Sequence, residues 1–248
     1  MSKSSQEFYD QYHAWNHNAP YQGVIRPNNF TYWYILPLFQ QALKGKQLDK
    51  VSVLDVGCGV GTLSLFLGAE GAKVVGVDIS PQAVQIAKAA GVAANLGRVK
   101  FEQGELQKGK QNYDLVVCSE IIEHVPDQND FLKKIYSNLK SDGKLVLTTP
   151  SRKNVLYRLG FYKGFDAKVG HLRRYTENEL QALLEKHGFQ VTMIRGVEGP
   201  LRNILFTTPL GFFIRGIKGP LIPLFHFFDE ISVKIFGASD IQVIAQRA

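Results

Sequence analysis

Val51-Ser-Val-Leu-Asp-Val-Gly-Cys-Gly-Val-Gly-Thr62 decides the fold. A β-branched apolar run ends in Asp55 and breaks into Gly57, Gly59 and Gly61, and an apolar stretch of helical spacing follows. Strand, glycine turn and helix start make the first half of a nucleotide-binding βαβ unit. Glycines there let the backbone turn sharply and approach a ligand that a side chain would block. The next apolar run, Lys73-Val-Val-Gly-Val-Asp78, ends in a carboxylate. Asp78 is thereby placed beside the turn, where an acid accepts hydrogen bonds from ribose hydroxyls.

The spacing is G-x-G-x-G, and no G-K-S/T follows. That argues against a phosphate-cradling loop, since no lysine stands where it would reach phosphates. Read together, Leu54-Asp-Val-Gly-Cys-Gly-Val-Gly and Asp78 resemble motif I and its acidic partner in the class I S-adenosylmethionine (SAM) dependent methyltransferases. The resemblance covers about residues 50–195. It implies an α/β, Rossmann-like seven-stranded sheet, mostly parallel with an antiparallel last strand, and helices on both faces.

The rest of the chain agrees with that pattern. Strands are expected near 51–56, 73–78, 98–103, 113–118 and 143–149, and helices near 60–69, 81–95 and 128–140. Such alternation makes a parallel sheet. Ser80-Pro81 is a good helix start, and Thr176 with Glu179 forms a capping box for a helix stopped by Gly188. Strands follow at Phe189–Ile194 and at Ile241–Ala245. Residues 151–175 read as a long loop, and loops of that length usually carry function.

Length and composition agree with one domain. A chain of 248 residues with 45% hydrophobic content buries a large core. Its parts are an N-terminal helical lid over 1–45, a SAM-binding core over 46–198, a hydrophobic insertion over 199–236 and a last strand over 237–248. Cys58 and Cys118 do not form a disulfide pattern, and the N-terminus lacks an apolar signal region, so a cytoplasmic location is expected. No run of about 18 apolar residues occurs, so no membrane span is expected. The net charge is +7, but no block of like charges marks a nucleic-acid arm.

The methyltransferase resemblance also implies a cofactor site. The turn Asp55, Gly57, Cys58, Gly59 and Gly61 would take the methionine part of SAM. Asp78 would hold the ribose hydroxyls, Ile79 would pack on adenine, and Glu105 and Leu106 would be the further adenine contacts. Ser119 would lie near the methionine end, and Arg26 is a candidate partner for its carboxylate.

Glu120-Ile-Ile-Glu-His124 follows the fourth strand directly. If one helical turn forms, Glu120, Glu123 and His124 share a face. Two carboxylates and an imidazole at one strand end are costly without a proton or cation between them. Oxygen with imidazole nitrogen suits Mg²⁺, Mn²⁺, Fe²⁺ or Zn²⁺, with Mg²⁺ the first choice. Cys118-Ser-Glu-Ile-Ile-Glu-His-Val-Pro-Asp127 resembles the ubiquinone-biosynthesis O-methyltransferase family, and Glu-x-x-Glu-His is also similar to the small-RNA terminal 2′-O-methyltransferases. Both resemblances imply a divalent metal held by Glu120, Glu123 and His124, and the small-RNA family, where a further histidine follows in a later loop, implies His171 of Gly170-His-Leu-Arg-Arg-Tyr-Thr176 as the fourth ligand. Glu123, His124 and His171 are the catalytic candidates, either imidazole serving as general base if it is not a ligand.

The expected reaction is O-methylation of a hydroxylated, catechol- or diol-type small molecule or lipid, whose hydroxyl a divalent ion would acidify. RNA is the second candidate acceptor, and a SAM-binding assembly subunit without turnover is the non-enzymatic alternative. Residues 199–236 carry many large apolar side chains with scattered cations, cut by prolines at 200, 209, 220 and 223 into short helices at most. That composition suits a membrane surface, a substrate tunnel or a homodimer interface, and the first would place the protein peripherally on the inner face of a membrane.

Overall fold

The architecture follows from which strands are buried on both faces. The computed structural model describes residues 33–109, 112–200, 202–203 and 221–248. Most of the expected lid, Arg26, and much of the 199–236 insertion therefore lie outside the described residues. Within them the chain forms α1 (Ile35–Ala42), β1 (Ser52–Val56), α2 (Thr62–Ala69), β2 (Lys73–Asp78), α3 (Pro81–Ala93), β3 (Val99–Gln103) and β4 (Tyr113–Ser119). Then come α4 (Gln128–Asn138), β5 (Leu139–Pro150), α5 (Val155–Arg158), α6 (Lys163–Val169), α7 (Glu177–Lys186), β6 (Phe189–Val197), α8 (Leu221–Phe236) and β7 (Asp240–Arg247).

The seven strands make one sheet in the order β3-β2-β1-β4-β5-β7-β6. β1 pairs in parallel with β2 and β4, and β7 runs antiparallel between β5 and β6. Central strands covered on both faces read as continuous apolar runs, as Val53-Leu54 and Leu115-Val116-Val117 do. Alternation along β1 sends Leu54 and Val56 into a cluster with α4 and α7, and Val53 into one with Leu38 and Phe39 of α1 and Leu67 of α2.

Strand order reverses between β1 and β4, and ligands of open α/β sheets bind at such a switch point, beyond the carboxyl ends of the strands. Val56 is paired with Cys118, so the glycine turn and Ser119 emerge side by side. Gly57 stands at φ +70°, and a Cβ on it would collide with the Ile121 side chain. The two loops are packed directly on each other.

Two expectations change. Residues 151–175 are not one open loop but contain α5 and α6, the latter closed by Gly170 at φ +77°. The insertion is not reduced to short helices: α8 runs for 16 residues through Pro223. Pro223 falls in the first helical turn, where the missing N–H has no intrahelical partner to lose.

Candidate active site

The glycine turn is held by its own backbone. Gly57 and Cys58 N–H both donate to the Val77 carbonyl, at 2.8 and 3.1 Å, which pins the turn to the end of β2. Asp78 is fixed by two backbone donors, Gly59 N–H and Ser80 N–H, each at 2.8 Å. Gly61 takes φ +83° to start α2, where a Cβ would stand 2.7 Å from the Phe101 ring. Asp55 is buried and accepts from Ser64 Oγ at 2.6 Å. Burial pushes its carboxyl up to about 6, against the pull of Ser64.

A cavity of about 1340 Å³ opens over these strand ends. Asp55, Gly57, Cys58, Gly59, Asp78, Ile79, Glu105, Leu106 and Ser119 line it, as do His124 and His171. Glu120 lines it as well, so these donor-binding and acceptor-side residues face one chamber, whereas Glu123 is fully buried and is not part of its wall. Gly61 is set back from its wall, with a role in turning the chain.

The second constellation is built on a short 3-10 turn, Ile122–His124. Glu123 is fully buried. Its Oε2 accepts from Thr149 Oγ1 at 2.9 Å, while Oε1 has no hydrogen-bond partner among the described residues and lies 3.7 Å from His124 Nε2. His124 Nδ1 lies 3.0 Å from the Gly170 carbonyl, which only accepts, so Nδ1 carries the proton and Nε2 a lone pair. Burial holds His124 down to about 4, opposed by Gly170 and helped by His171. Burial, together with the charge of Glu120, raises Glu123 well above the carboxylate range.

His171 arrives from the far side of the site, with its ring 4.9 Å from that of His124. Ligand atoms of Glu123, His124 and His171 lie within 4.8 Å of one another. A buried acceptor oxygen facing imidazole lone pairs is unfavourable until a proton or a cation sits between them. The donor set therefore fits a divalent ion: one carboxylate oxygen and two neutral imidazoles.

Glu120 does not join this set. The backbone at Glu120 is left-handed, φ +57°, and the helical turn begins only at Ile122, so the expected shared face does not form. Glu120 instead accepts from Thr148 Oγ1 at 2.6 Å. Burial and the charge of Glu198 push it up to about 7, although Thr148 and Asp240 pull the other way. Asp240 stands opposite Pro150 in the β5–β7 register, which carries it to the same strand ends.

Sequence reasoning missed the groups that hold the two histidines. Gly170 supplies its carbonyl to His124, and Asp166 Oδ1 lies 2.9 Å from His171 Nδ1. Neither is visible as a motif, because both pairings depend on the left-handed turn at Gly170. Thr149, the donor to Glu123, was readable only as a strand-end residue.

The sheet order, the reversed β7, and a glycine turn facing a β2 carboxylate across one cavity define a class I SAM-dependent methyltransferase, and the chain is one. It belongs to the methyltransferase domain family, whose sequence profile matches residues 32–194. The ubiquinone biosynthesis O-methyltransferase of Coxiella burnetii is 33% identical over 175 residues, 66% of this chain and 72% of that protein. The mitochondrial protein of that name from Schizosaccharomyces pombe is 41% identical over 105 residues, 40% of this chain and 38% of that one.

Solved structures share the fold at low identity. A putative sarcosine dimethylglycine methyltransferase from Galdieria sulphuraria covers 97% of this chain and 98% of its own, with a TM-score of 0.67 and 14% identity. The [4+2]-cyclase SpnF covers 86% of this chain and 80% of its own, with a TM-score of 0.62 and 18% identity. A cyclase on the same scaffold shows that the fold does not choose the reaction; the site does.

Proposed function

We propose that the chain transfers the SAM methyl group to a hydroxyl of a catechol- or diol-type, lipid-like acceptor, with Glu123, His124 and His171 holding a divalent ion. The observation that carries this reading is the buried Glu123 Oε1, without a hydrogen-bond partner among the described residues, facing two imidazoles beside the donor cavity. The relatives' names, ubiquinone biosynthesis O-methyltransferases, support methyl transfer to oxygen.

SAM supplies a methyl group that is already activated, so the chain's own tasks are alignment, water exclusion and acceptor deprotonation. Asp55, Asp78 and the glycine turn hold the donor end. Glu123, His124 and His171 would hold the ion, which would lower the pKa of an acceptor hydroxyl. Phe161 and Phe165 line the cavity and also reach solvent, giving the acceptor side an apolar mouth.

The lipid part rests on surface chemistry. Leu224, Phe227, Phe228, Ile231 and Ile235 are exposed along one face of α8, while Ile222, His226 and Asp229 are buried on the other. No helix among the described residues is long and apolar enough to cross a membrane, so this face would rest on a lipid surface. The RNA reading is weaker here. Of the cations around 151–175, Arg152, Lys153, Arg173 and Arg174 are engaged by the protein's own groups.

Methylation of lipid catechols, small catechols and RNA 3′ ends, followed with labelled SAM before and after chelation, tests the proposal. Loss of lipid-catechol methylation on EDTA treatment and its return with Mg²⁺, Mn²⁺ or Zn²⁺ is expected. Full activity after chelation would remove the ion. For the surface, anionic liposomes should float the wild-type chain, and Phe227→Ser with Ile231→Ser should reduce flotation. Unchanged flotation, or a dimer lost in the variant, would assign the α8 face elsewhere.

A further inference from the structure

We infer that Asp166, clamped by Arg174, is the positioning residue that presents His171 to the reaction. The inference rests on the functional reading of His171 above, and its test separates the two.

His171 lies beyond the end of α6, in a stretch without regular structure, so its ring must be held by contacts. His171 Nδ1 faces Asp166 Oδ1 at 2.9 Å, and its backbone N–H donates to the Asp166 carbonyl at 2.9 Å. One residue thus fixes both ends of the histidine, across the left-handed Gly170. A carboxylate accepts, so the proton stays on Nδ1 and the Nε2 lone pair is left for the site; outer partners of ligating imidazoles act in this way.

Asp166 is itself immobilised. Arg174 Nε lies 3.2 and 3.0 Å from its two carboxylate oxygens, and a terminal Arg174 nitrogen lies against Oδ1 as well. The guanidinium is stacked 4.9 Å from the Tyr157 ring and 5.0 Å from the Tyr162 ring, and it donates to the Ser151 carbonyl at 3.3 Å. Burial opposes the charge on Asp166, yet Arg174 and His171 outweigh it and hold the carboxyl below its ordinary value. The same segment grips the other half of the site, because Leu172 N–H donates to the Glu123 carbonyl at 3.0 Å and Gly170 holds His124. The surface position of α6 therefore has a purpose: it brings an acid behind the histidine.

The test uses the full-length, ¹⁵N-labelled, metal-free protein. Long-range ¹H–¹⁵N correlation spectra report the tautomer of each imidazole, with His171→Ala to assign the signals. The Nδ1–H form of His171 is expected in the wild type, a tautomer mixture in Asp166→Ala, and an intermediate in Asp166→Asn, whose single acceptor oxygen must serve two donors. Turnover should fall in the same order, by about 10–100-fold for Asp166→Ala, with SAM affinity unchanged. An unchanged tautomer in both variants would overturn the inference, as would equal losses of SAM binding and turnover. If His171→Ala retains full turnover, the functional reading of His171 fails instead. Asp166→Asn keeps the side-chain volume, so the comparison stands even where Asp166→Ala folds poorly.

Discussion

Asp55 carries a charge that the fold resists. It is buried, it has the Ser64 hydroxyl as a donor, and burial pushes its carboxyl up to about 6 from the usual 3.8. A folded-state pKa above the unfolded one means a contribution to stability that is complete below about pH 4 and lost as pH rises through 6. At neutral pH the ionised residue therefore costs stability, on the order of 3 kcal/mol. A cationic donor bound in the cavity that Asp55 lines would recover that cost. Asp55→Asn keeps the oxygen that Ser64 needs, so it should unfold at higher denaturant than wild type at pH 8 and at equal denaturant at pH 4. Its SAM affinity should fall by about tenfold, the worth of one hydrogen bond to a charged group. Calorimetric titration and urea melts at the two pH values decide this; an unchanged SAM affinity would make Asp55 a structural residue only.

At the scale of elements, the carboxyl ends of the strands are specified from the opposite end as well. Asp114 at the start of β4 accepts from Ser52 N–H at 2.9 Å, from Ser52 Oγ at 2.6 Å and from Lys140 Nζ at 2.9 Å, which ties β1, β4 and β5 together. Partial burial raises its carboxyl, but Ser52 and Lys140 prevail and lower it to about 2. This is the reverse sign of Asp55: the stability is present above about pH 4 and lost as pH falls towards 2. Asp114→Asn should cost roughly 1–2 kcal/mol at pH 7, and the gap to wild type should shrink as urea melts are repeated from pH 5 to pH 3. A gap independent of pH would mean that charge plays no part in the tie. The elements themselves were largely legible. The strand, glycine turn and helix of 51–69 and the capping box at Thr176 are local chemistry, written in adjacent residues. What was not legible depended on distant partners. Glu120 left its expected face because its backbone turns left-handed, with its N–H donating to the carbonyl of Thr148 on a neighbouring strand. α8 passed through Pro223 because the helix began late enough to place it in the first turn. Asp166 behind His171 needed a left-handed turn that only the folded segment displays.

Across the whole molecule, the wall of the cavity is tied to the insertion by one buried acid. Asp229 of α8 accepts from Tyr34 Oη at 3.1 Å, from Gly199 N–H at 2.9 Å and from Arg202 N–H at 3.0 Å. Three segments far apart in sequence meet there: the residues ahead of α1, the exit from β6, and α8. Tyr34 lines the donor cavity, and its hydroxyl is raised by burial and by the Asp229 charge, so it stays a protonated donor at any working pH. The contact is thus a device by which the packing of α8 reaches the donor site. Asp229→Ala removes the acceptor that Gly199 N–H, Arg202 N–H and Tyr34 Oη share, which should cost about 2–4 kcal/mol. Tyr34→Phe removes one neutral partner and should cost about 1 kcal/mol. If the tie positions Tyr34 for the donor, KM for SAM should rise several-fold in both variants with kcat little changed, because the acceptor side at Glu123 and His171 is untouched. A stability loss with the donor KM unmoved would confine Asp229 to holding α8 in place.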